Sequence, residues 1–296
     1  MCILFLELCD SPAGDGYRLI LASNRDEYYR RPTDHAHHWQ EAPNVFGGRD
    51  REPGREGGTW LALDTAGAGR FAALLNVMGS PSRADSRPRG MLVADYVRGT
   101  EHARDYMHRI AAAGIEYSAF HLVAIDLNPS SGGMWHYSNC SPEDGVAGSV
   151  VHQSRGRLAL GNSLTDQPFR KVTAGRQRFD DILDKHGRST EHRERLVAEL
   201  ENLLKWDKEH YPDERLDGRA AKGNIRKEAV HMHSAVFQRH PAYGTRTHTI
   251  ILVDADWRCD YFEMTLGENR ETTMHPETSR WNRIHKTFQL ESPSGK

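Results

Sequence analysis

The chain has 296 residues, 38% of them hydrophobic and 27% charged, and a formal net charge of −2 at pH 7. This length allows a sizeable buried core, whereas the near-neutral charge argues against a broad nucleic-acid-binding face. No stretch approaches the roughly 20 apolar residues that span a bilayer, and the first residues lack the basic segment of a signal peptide. The four cysteines lack Cys-x-x-Cys spacing, which favours a reduced, cytoplasmic protein without a disulfide framework or a zinc site.

The first 27 residues predict a hairpin that brings chemically active side chains together. Residues 3–8 and 17–22 are apolar runs typical of buried strands, and residues 10–16 form a loop rich in glycine and proline. A hairpin centred near position 13 makes paired positions sum to about 26. Cys2 then lies beside Asn24, and Arg25, Asp26 and Glu27 follow at once. The predicted result is a thiol near an amide, a guanidinium and two carboxylates.

This arrangement suits nucleophilic catalysis by the amino-terminal residue. If Met1 is removed, Cys2 gains a free α-amine with a reference pKa of about 7.7–8, which can take the proton of the thiol. Asp26 and Arg25 would fix the orientation and charge of that amine. The alternative interpretation is structural: Cys2 is a small residue at a strand start, and the charged residues after Asn24 are a polar strand end.

The segment up to position 88 predicts a loop, two strands and a second loop. Residues 28–44 are rich in Arg, His and Pro, and histidines 35, 37 and 38 offer imidazoles to a metal or haem, although a solvated loop is favoured. Gly57 and Gly58 precede Trp60 at the entry to a strand, which indicates a close backbone approach. Residues 70–76 form another strand, and its last residue, Asn76, is again an amide. Residues 78–88 read as a loop.

The middle of the chain predicts helices that flank further strands. Residues 90–113 indicate two helices broken near Gly99, and residues 120–127 and 134–137 a strand pair. A short strand at 158–160 leads to Asn162. Helices are expected from about Pro168 and at 195–206.

The last third predicts a charged insertion or long loop at 207–226, then mostly strands. His231 and His233 offer haem ligands, although a surface position is favoured. Strands are expected at 235–239, 243–254 and 259–266, with an edge strand at 281–290. Strands at both ends with helical blocks between them, and no repeat or linker, predict one α+β domain over 1–296.

Five separated motifs carry a resemblance to a known family: Met1-Cys2-Ile3 with Asn24-Arg25-Asp26-Glu27, then Glu56-Gly57-Gly58-Thr59-Trp60-Leu61, Asn76, Gly161-Asn162-Ser163 and Tyr243-Gly244-Thr245-Arg246-Thr247. In this order they resemble the NRDE-motif family, also called the transport and Golgi organisation protein 2 family, over nearly the whole chain. That family is similar to the cysteine branch of the amino-terminal-nucleophile hydrolases, which contains penicillin V acylase and bile-salt hydrolase. The resemblance implies a four-layer αββα sandwich with mostly antiparallel sheets.

The same resemblance implies site residues. Cys2 matches the nucleophile, Asp26 the carboxylate that holds its amine, Asn76 and Asn162 the amides around the oxyanion, and Arg246 a late arginine. The implied ligand pocket consists of Cys2, Asn24, Arg25, Asp26, Gly57, Gly58, Trp60, Asn76, Asn162 and Arg246. The hydrolases carry arginine before the asparagine of this motif, whereas here Ser23 precedes Asn24 and Arg25 follows it. This shift of about 6–7 Å along the strand predicts that Arg25 falls short of Cys2.

The role implied by the family is haem mobilisation inside the cell. Haem is then a transported ligand, and the partners are haem donor and acceptor proteins, with transient membrane contact and mitochondrial or Golgi association. The sequence supplies no haem-attachment motif, and no nucleic acid or other metal is expected. Two alternatives stay open: an amino-terminal-cysteine amidohydrolase acting on a C–N or acyl bond, and a non-enzymatic factor in Golgi and secretory organisation or lipid metabolism.

Overall fold

The computed structural model describes residues 1–78, 86–113, 117–128, 132–140, 148–222, 229–267 and 280–293. The strands within these ranges are β1 (Ile3–Leu8), β2 (Tyr17–Tyr28), β3 (Thr33–Trp39), β4 (Ala42–Asp50), β5 (Leu61–Asp64), β6 (Arg70–Asn76), β7 (Phe120–Asp126), β8 (Gly133–Ser138), β9 (Val151–Gln153), β10 (Gly156–Leu160), β11 (Tyr243–Asp254), β12 (Arg258–Leu266) and β13 (Trp281–Gln289). The helices are α1 (Gly90–Arg98), α2 (Ala103–Ala112), α3 (Arg170–His186), α4 (Arg193–Leu204) and α5 (Glu214–Ala221).

The strands form two antiparallel sheets. The first has the order β10-β1-β2-β11-β12-β13, and the second β3-β4-β5-β6-β7-β8-β9. The first sheet therefore joins the two ends of the chain, because β1 and β2 pair with strands that lie more than 130 residues later. β13 lies at an edge of this sheet, as predicted.

Three apolar cores define four layers. The core between the sheets contains Leu21 of the first sheet and Val123 of the second. The outer face of the first sheet packs against α3 and α4 through Phe179 and Leu200, and the outer face of the second packs against α1 and α2 around Tyr96. Each fully buried side chain of this kind stabilises the fold by about 1.5–3 kcal/mol. The predicted αββα sandwich is confirmed, whereas the single-domain organisation over 1–296 stays a prediction.

The register of the first hairpin differs from the prediction by one residue. Ile3 pairs with Asn24, so paired positions sum to 27. The hairpin is centred between positions 13 and 14 instead of on 13, and Cys9 N still donates to Arg18 O at 2.8 Å in the same register. A one-residue shift exchanges the two faces of a strand. Asn24 consequently faces the helices on the outside of the sheet instead of lying beside Cys2.

The histidine-rich segment predicted as a loop is part of a strand. Histidines 35, 37 and 38 lie in β3, where Thr33, Ala36 and Trp39 are buried. The pairing of β3 with β4 shifts register twice, between Asp34 and His37 and again after His38. Because of these irregularities, buried residues recur every three positions instead of every two as in a regular strand. The periodicity of the sequence therefore does not indicate a strand here.

Two further segments near α5 differ from the predicted long loop and strand, whereas the alternative that 207–226 is an insertion stays a prediction. The segment 207–226 contains the helix α5, whose first amides, those of Arg215 and Leu216, donate to the buried side chain of Asp213. Residues 223–226 lie outside the described residues. Residues 235–238 are buried, but the segment 235–239 forms only an isolated bridge between Arg239 and Gly244 and no strand. Its other backbone groups bond elsewhere: Phe237 N donates to Trp206 O at 2.9 Å, and Gln238 N to the hydroxyl of Thr245 at 2.9 Å.

The other predicted elements are confirmed to within a few residues. They are the two helices before Ala113, the strands at 70–76, 120–127, 134–137 and 158–160, the helices α3 and α4, and the strands β11 and β12. β11 was the clearest of them, because its threonines, isoleucines, leucine and valine form a long β-branched and apolar run that is buried on both faces. Most of the loop predicted at 78–88 falls at 79–85, outside the described residues.

Buried histidines make the stability of the fold sensitive to acid. Burial lowers the pKa of His136 to about 3, with a further contribution from His121, and burial lowers the pKa of His248 to about 3. Unfolded histidine has a pKa of about 6.5, so between pH 6.5 and pH 3 the unfolded chain binds protons that the folded chain does not. The contribution of these neutral histidines to the free energy of unfolding is therefore fully present above pH 6.5, and it is lost as the pH is lowered through this window.

We expect urea denaturation to give a smaller free energy of unfolding at pH 5 than at pH 7, with about 2 kcal/mol arising from His136 alone. The variant His136→Gln removes this titration and flattens the pH dependence by about that amount. The exposed Gln153→Asn is the control and keeps the wild-type slope. Equal slopes in wild type and His136→Gln would contradict the assignment.

Candidate active site

The amino terminus is held in the interior by an ion pair. The α-ammonium group of Met1 lies 3.1 Å from Oδ2 of Asp26, and both side chains are almost completely buried. The same ammonium donates to the hydroxyl of Tyr243. The other carboxylate oxygen of Asp26 accepts a hydrogen bond from the hydroxyl of Thr245 at 2.6 Å. Asp26 is thus fixed from both sides, by the first residue of the chain and by β11.

A bulge in β11 shapes this end of the sheet. Thr245 pairs with Asp26 and Thr247 with Arg25, so Arg246 is an extra residue in β11. Bulges bend a strand locally and redirect its side chains. The guanidinium of Arg246 turns away from the thiol and donates to the carbonyl of Tyr28, at 3.1 Å, and to that of Arg31. Arg246 therefore supports the turn after β2.

The thiol of Cys2 lies against the backbone of Asp26. The backbone N–H of Asp26 donates to Sγ at 3.4 Å, and the distance from Sγ to the carbonyl oxygen of Asp26 is 3.7 Å. Burial raises the pKa of the Cys2 thiol, although the amino-terminal ammonium and Arg25 act in the opposite direction. Burial likewise lowers the pKa of the Met1 amine, against the effect of Asp26. Burial thus favours the neutral form of both groups, whereas Asp26 favours the ammonium form of the amine.

Two further side chains hold Met1 by its carbonyl oxygen. Nζ of Lys171 lies 3.4 Å from this oxygen and 3.2 Å from the carbonyl oxygen of Ala235, and Nε2 of Gln238 donates to Met1 at 3.1 Å. Lys171 is fully buried, and burial lowers its pKa to about 8. Sequence reasoning missed both residues. No local signal marks them, because Lys171 is one of many charged residues along α3 and Gln238 lies in an irregular segment.

A cavity of about 90 Å³ opens beside Cys2, between the ends of the two sheets. It is lined by five residues of the predicted ligand pocket, namely Cys2, Arg25, Asp26, Trp60 and Asn76, and by Glu27, the second carboxylate that the first hairpin was predicted to bring near the thiol. The lining also contains residues that were not predicted to belong to a site: Arg31, Asp50, Arg55, Thr59, Leu74, Pro88, Arg89 and Gly90.

Arg25 lies in this cavity together with Cys2, although the sequence comparison predicted that it falls short. Its guanidinium carbon lies 4.3 Å from the centre of the Trp60 ring, so it stacks on the indole face. The side chain is 6% exposed, and Nη1 has no hydrogen-bond partner in the described part of the chain. Since the pairing register places Asn24 on the helix side, its neighbour Arg25 faces the space between the sheets.

Five predicted pocket residues lie outside the cavity lining. Asn24 donates to the carbonyls of Leu204 and Val236, at 2.8 and 3.1 Å, and its Oδ1 lies 2.6 Å from Nδ1 of His248. Asn24 therefore anchors the helical layer. Arg246 supports the turn described above. The remaining three residues, Gly57, Gly58 and Asn162, are not part of the cavity lining.

Gly58 and Asn162 support the wall in different ways. A side chain at Gly58 would lie 3.2 Å from the backbone of Gly90, so this glycine allows the turn before β5 to pack against the start of α1. Asn162 follows β10 and is 4% exposed, and its Nδ2 donates to the carbonyl of Asn76 at 2.6 Å. Met78 N donates back to Asn162 O at 2.8 Å. These bonds join the two sheets behind Asn76.

The described residues contain no group of three or more His, Cys, Asp or Glu side chains arranged to hold a metal ion. The two histidine motifs are bonded within the protein. Nδ1 of His38, in β3, lies 2.7 Å from the carbonyl oxygen of Pro43, in β4, and Nδ1 of His233 lies 2.8 Å from Oε1 of Gln238. No helix among the described residues is long and apolar enough to cross a membrane.

Comparison with known proteins identifies the family. Residues 1–268 match the sequence profile of the family Transport and Golgi organisation 2. Transport and Golgi organization protein 2 of Drosophila melanogaster is 38% identical over 299 residues, which cover 98% of this chain and 99% of the relative. The chain belongs to the Transport and Golgi organisation 2 family. The resemblance of the five motifs is thereby confirmed.

Mammalian members of the Transport and Golgi organisation 2 family match over the same extent. The homologues from Bos taurus and Homo sapiens are 34% and 32% identical over 294 residues, covering 99% of this chain and 100% of each relative. Among solved structures, a Caenorhabditis elegans N-acylethanolamine-hydrolyzing acid amidase ortholog is similar with a TM-score of 0.49 and 12% identity. The match covers 85% of this chain and 92% of that one.

The buried ion pair at the amino terminus predicts a large effect for Asp26→Asn. Removing one partner of a buried pair costs about 3–5 kcal/mol, and we expect about 3 kcal/mol because the unpaired amine can release its proton. Urea denaturation at pH 7 measures this loss. The control is Asp34→Asn, which breaks the exposed ion pair with Arg51 and costs at most about 1 kcal/mol. Similar losses in the two variants would contradict the structural role of Asp26.

Proposed function

We propose that this member of the Transport and Golgi organisation 2 family is an amino-terminal-cysteine hydrolase that cleaves an amide or acyl bond after removal of Met1. One observation carries the proposal: a buried carboxylate, Asp26, binds the first amine of the chain directly beside the thiol of Cys2, at the base of a cavity. A structural cysteine needs no buried ion pair and no cavity.

Removal of Met1 changes the partners of Asp26. The carboxylate loses the Met1 amine, and the new α-amine of Cys2 becomes the nearest group that can replace it, because Sγ of Cys2 already lies 3.4 Å from the backbone N of Asp26. The hydroxyls of Tyr243 and Thr245 stay in place to orient the pair. An α-amine has a reference pKa of about 7.7–8, so the amine so held suits general base catalysis near neutral pH.

The chemistry proceeds in two stages. As Sγ of Cys2 attacks the carbonyl carbon, the thiol proton passes to the α-amine, an S–C bond forms and the carbonyl electron pair moves to oxygen. Collapse of this intermediate breaks the scissile bond, and the leaving group takes the proton from the ammonium. A water then attacks the thioester, again losing a proton to the amine, and releases a carboxylic acid and the free thiol.

Asn76 is the side chain best placed to stabilise the oxyanion. It lines the cavity with Cys2, it is exposed to the cavity, and it ends β6 at the edge where β1 begins. Asn162 lies outside the lining and donates to the carbonyl of Asn76, so it acts as a positioning residue. The resemblance implied the same role for both amides, and the proposal separates them because Asn76 lines the cavity and Asn162 does not.

A panel of fluorogenic N-acyl amides and acyl thioesters tests the proposal, using protein whose trimmed amino terminus is verified by mass spectrometry. We expect Cys2→Ala to abolish hydrolysis, because no other group supplies the nucleophile. Asn76→Ala lowers kcat by about 10²–10³, the usual cost of one oxyanion donor. Asn162→Ala lowers kcat less and is rescued by Asn162→Gln, as expected of a positioning residue.

The control for the thiol is Cys9→Ala, which removes another half-buried cysteine at the opposite end of β1 and leaves turnover unchanged. Hydrolysis that persists in Cys2→Ala, or in protein with Met1 retained, would overturn the proposal.

The relatives are named for transport and Golgi organisation. A non-enzymatic role of that kind needs no thiol, so a Cys2→Ala chain that restores Golgi morphology in depleted cells would favour it.

A second candidate function is haem transport, and one observation favours a site for it away from Cys2. The Cys2 cavity, at about 90 Å³, is well below the roughly 300–1,000 Å³ of cofactor pockets. A cleft of about 290 Å³ lies at the other face of the first sheet, lined by Lys205, Phe237, Arg239, His248, Met264, Trp281 and Arg283. Its aromatic walls suit a flat macrocycle, and its cations suit propionate groups.

His248 is the candidate axial ligand in this cleft. Nδ1 lies 2.6 Å from Oδ1 of Asn24, whose amide nitrogen already donates to two carbonyls, so Nδ1 must be the donor. Nε2 then carries the lone pair, and it is buried and has no hydrogen-bond partner among the described residues. The Trp281 ring stacks on the imidazole with 4.9 Å between ring centres, so haem would reach Nε2 by displacing Trp281. Burial lowers the pKa of His248 to about 3, which keeps the imidazole neutral as iron ligation requires.

Titration with haem, followed at the Soret band, tests this candidate. We expect saturable binding in the wild type that shifts or weakens in His248→Ala and is unchanged in Cys2→Ala. The matched control is His285→Ala, since His285 also stacks on an aromatic ring of the same sheet, Phe262, but lies outside the cleft. Binding unaffected by His248→Ala, or no saturable binding, would exclude haem from this cleft.

A further inference from the structure

We infer that the cavity beside Cys2 binds an oxyanion group, a carboxylate or a phosphate, close to the bond that Cys2 attacks. The inference deepens the proposed hydrolase function by naming the class of substrate, an anionic acyl compound. It rests on that function only for the statement that the bound compound is a substrate, because the binding site itself is argued from the charges of the cavity.

Arg25 is the first observation. Its guanidinium is 6% exposed, stacks on Trp60 and leaves Nη1 without a hydrogen-bond partner in the described part of the chain. A buried cationic donor without a partner loses the hydration it would have in water and gains nothing in return. An oxyanion in the cavity would supply the missing acceptor, and a guanidinium binds carboxylate or phosphate through two parallel hydrogen bonds.

The surrounding carboxylates are already engaged. Arg31 donates to both oxygens of Asp50, at 3.1 and 2.5 Å, and to Oε2 of Glu27 at 3.2 Å. Asp26 is paired with the amino terminus. The three acidic residues of the cavity lining are therefore held by other cations, and none of these contacts involves Arg25.

Two more arginines leave the cavity positive. Arg55 and Arg89 line it as well, and Arg89 donates through Nη1 to the carbonyl of Ala119 at 2.6 Å. Burial, together with the positive charges of Arg55 and Arg31, lowers the pKa of Arg89 to about 10. Arg89 stays charged at neutral pH, so guanidinium groups repel one another around the cavity. A bound anion would relieve this repulsion.

The size and position of the cavity limit what the anion is attached to. A volume of about 90 Å³ accepts a carboxylate or phosphate group. Since Cys2, Asn76 and Arg25 share the lining, the anionic group and the reacting carbonyl occupy the same small space. The substrate class is therefore one whose anion lies a few bonds from the scissile carbonyl.

Alkylation of Cys2 tests the anion site without any need for turnover. Iodoacetate and iodoacetamide react alike, with the sulfur forming a bond to carbon, iodide leaving and the thiol proton passing to the amine or to water, but only iodoacetate is an anion. We expect the rate ratio of iodoacetate to iodoacetamide at Cys2 to exceed that of free cysteine by at least about tenfold at low salt. Mass spectrometry of peptides gives each rate, with Cys9 and Cys140 as internal references.

Substitutions assign the preference to the arginines. Arg25→Gln should return the ratio to that of free cysteine, and Arg25→Lys should keep part of it. The matched control is Arg18→Gln, because Arg18 stacks on Trp257 at 4.2 Å in the same way but lies outside the cavity. If Arg25→Gln loses its near-ultraviolet circular dichroism, Arg89→Gln replaces it, with an expected fall in the ratio of severalfold.

Competing ions distinguish a carboxylate site from a phosphate site. At constant ionic strength, protection of Cys2 by acetate but not by inorganic phosphate assigns a carboxylate site, and the reverse result assigns a phosphate site. A wild-type ratio equal to that of free cysteine, or an elevated ratio unchanged in both Arg25→Gln and Arg89→Gln, would overturn the inference. An elevated, arginine-dependent ratio without hydrolysis of any acyl substrate would keep the anion site and reject only the hydrolase.

Discussion

The ion pair between the α-ammonium of Met1 and the carboxylate of Asp26 is the constraint on which the rest of the site depends. Charges in a protein interior are tolerated only where a partner and hydrogen bonds compensate for lost hydration. Here the compensation comes from several elements at once: Asp26 belongs to β2, Tyr243 and Thr245 to β11, and Lys171 to α3. Burial of the amino terminus therefore depends on the assembled first sheet and on α3.

The two faces of β2 make different contacts, one with the helical layer and the other with the second sheet. Asn24 faces outward and ties the irregular segment before β11, helix α4 and His248 to the sheet. Arg25 faces inward, onto Trp60 of the second sheet. The bulge at Arg246 lets Asp26 meet Thr245 while Arg246 holds the turn that follows. One strand thus joins the helical layer on one side and forms a cavity wall on the other.

The layers and most strands were predictable because a β-branched, apolar run such as that of β11 indicates a buried strand from its local sequence alone. The position of Cys2 and the Asn-Arg-Asp-Glu motif likewise predicted that Cys2 and Asp26 lie side by side. Local patterns could not give the pairing register of the first hairpin. A shift of one residue in that register decides whether Asn24 or Arg25 faces the thiol. Lys171 and Gln238 were not predictable either, because only the three-dimensional fold brings them to Met1. β3 was missed because its bulges break the alternation.

The burial of the first amine has a practical consequence for handling the protein. Because the ammonium of Met1 is buried and contacts Asp26 and Tyr243, residues placed ahead of it would disturb these contacts. An amino-terminal affinity tag, or acetylation of the amine, would either displace the first residues from the interior or leave Asp26 without its cation. Fusions are better joined to the other end of the chain, where residues 291–293 follow β13 and are exposed to solvent.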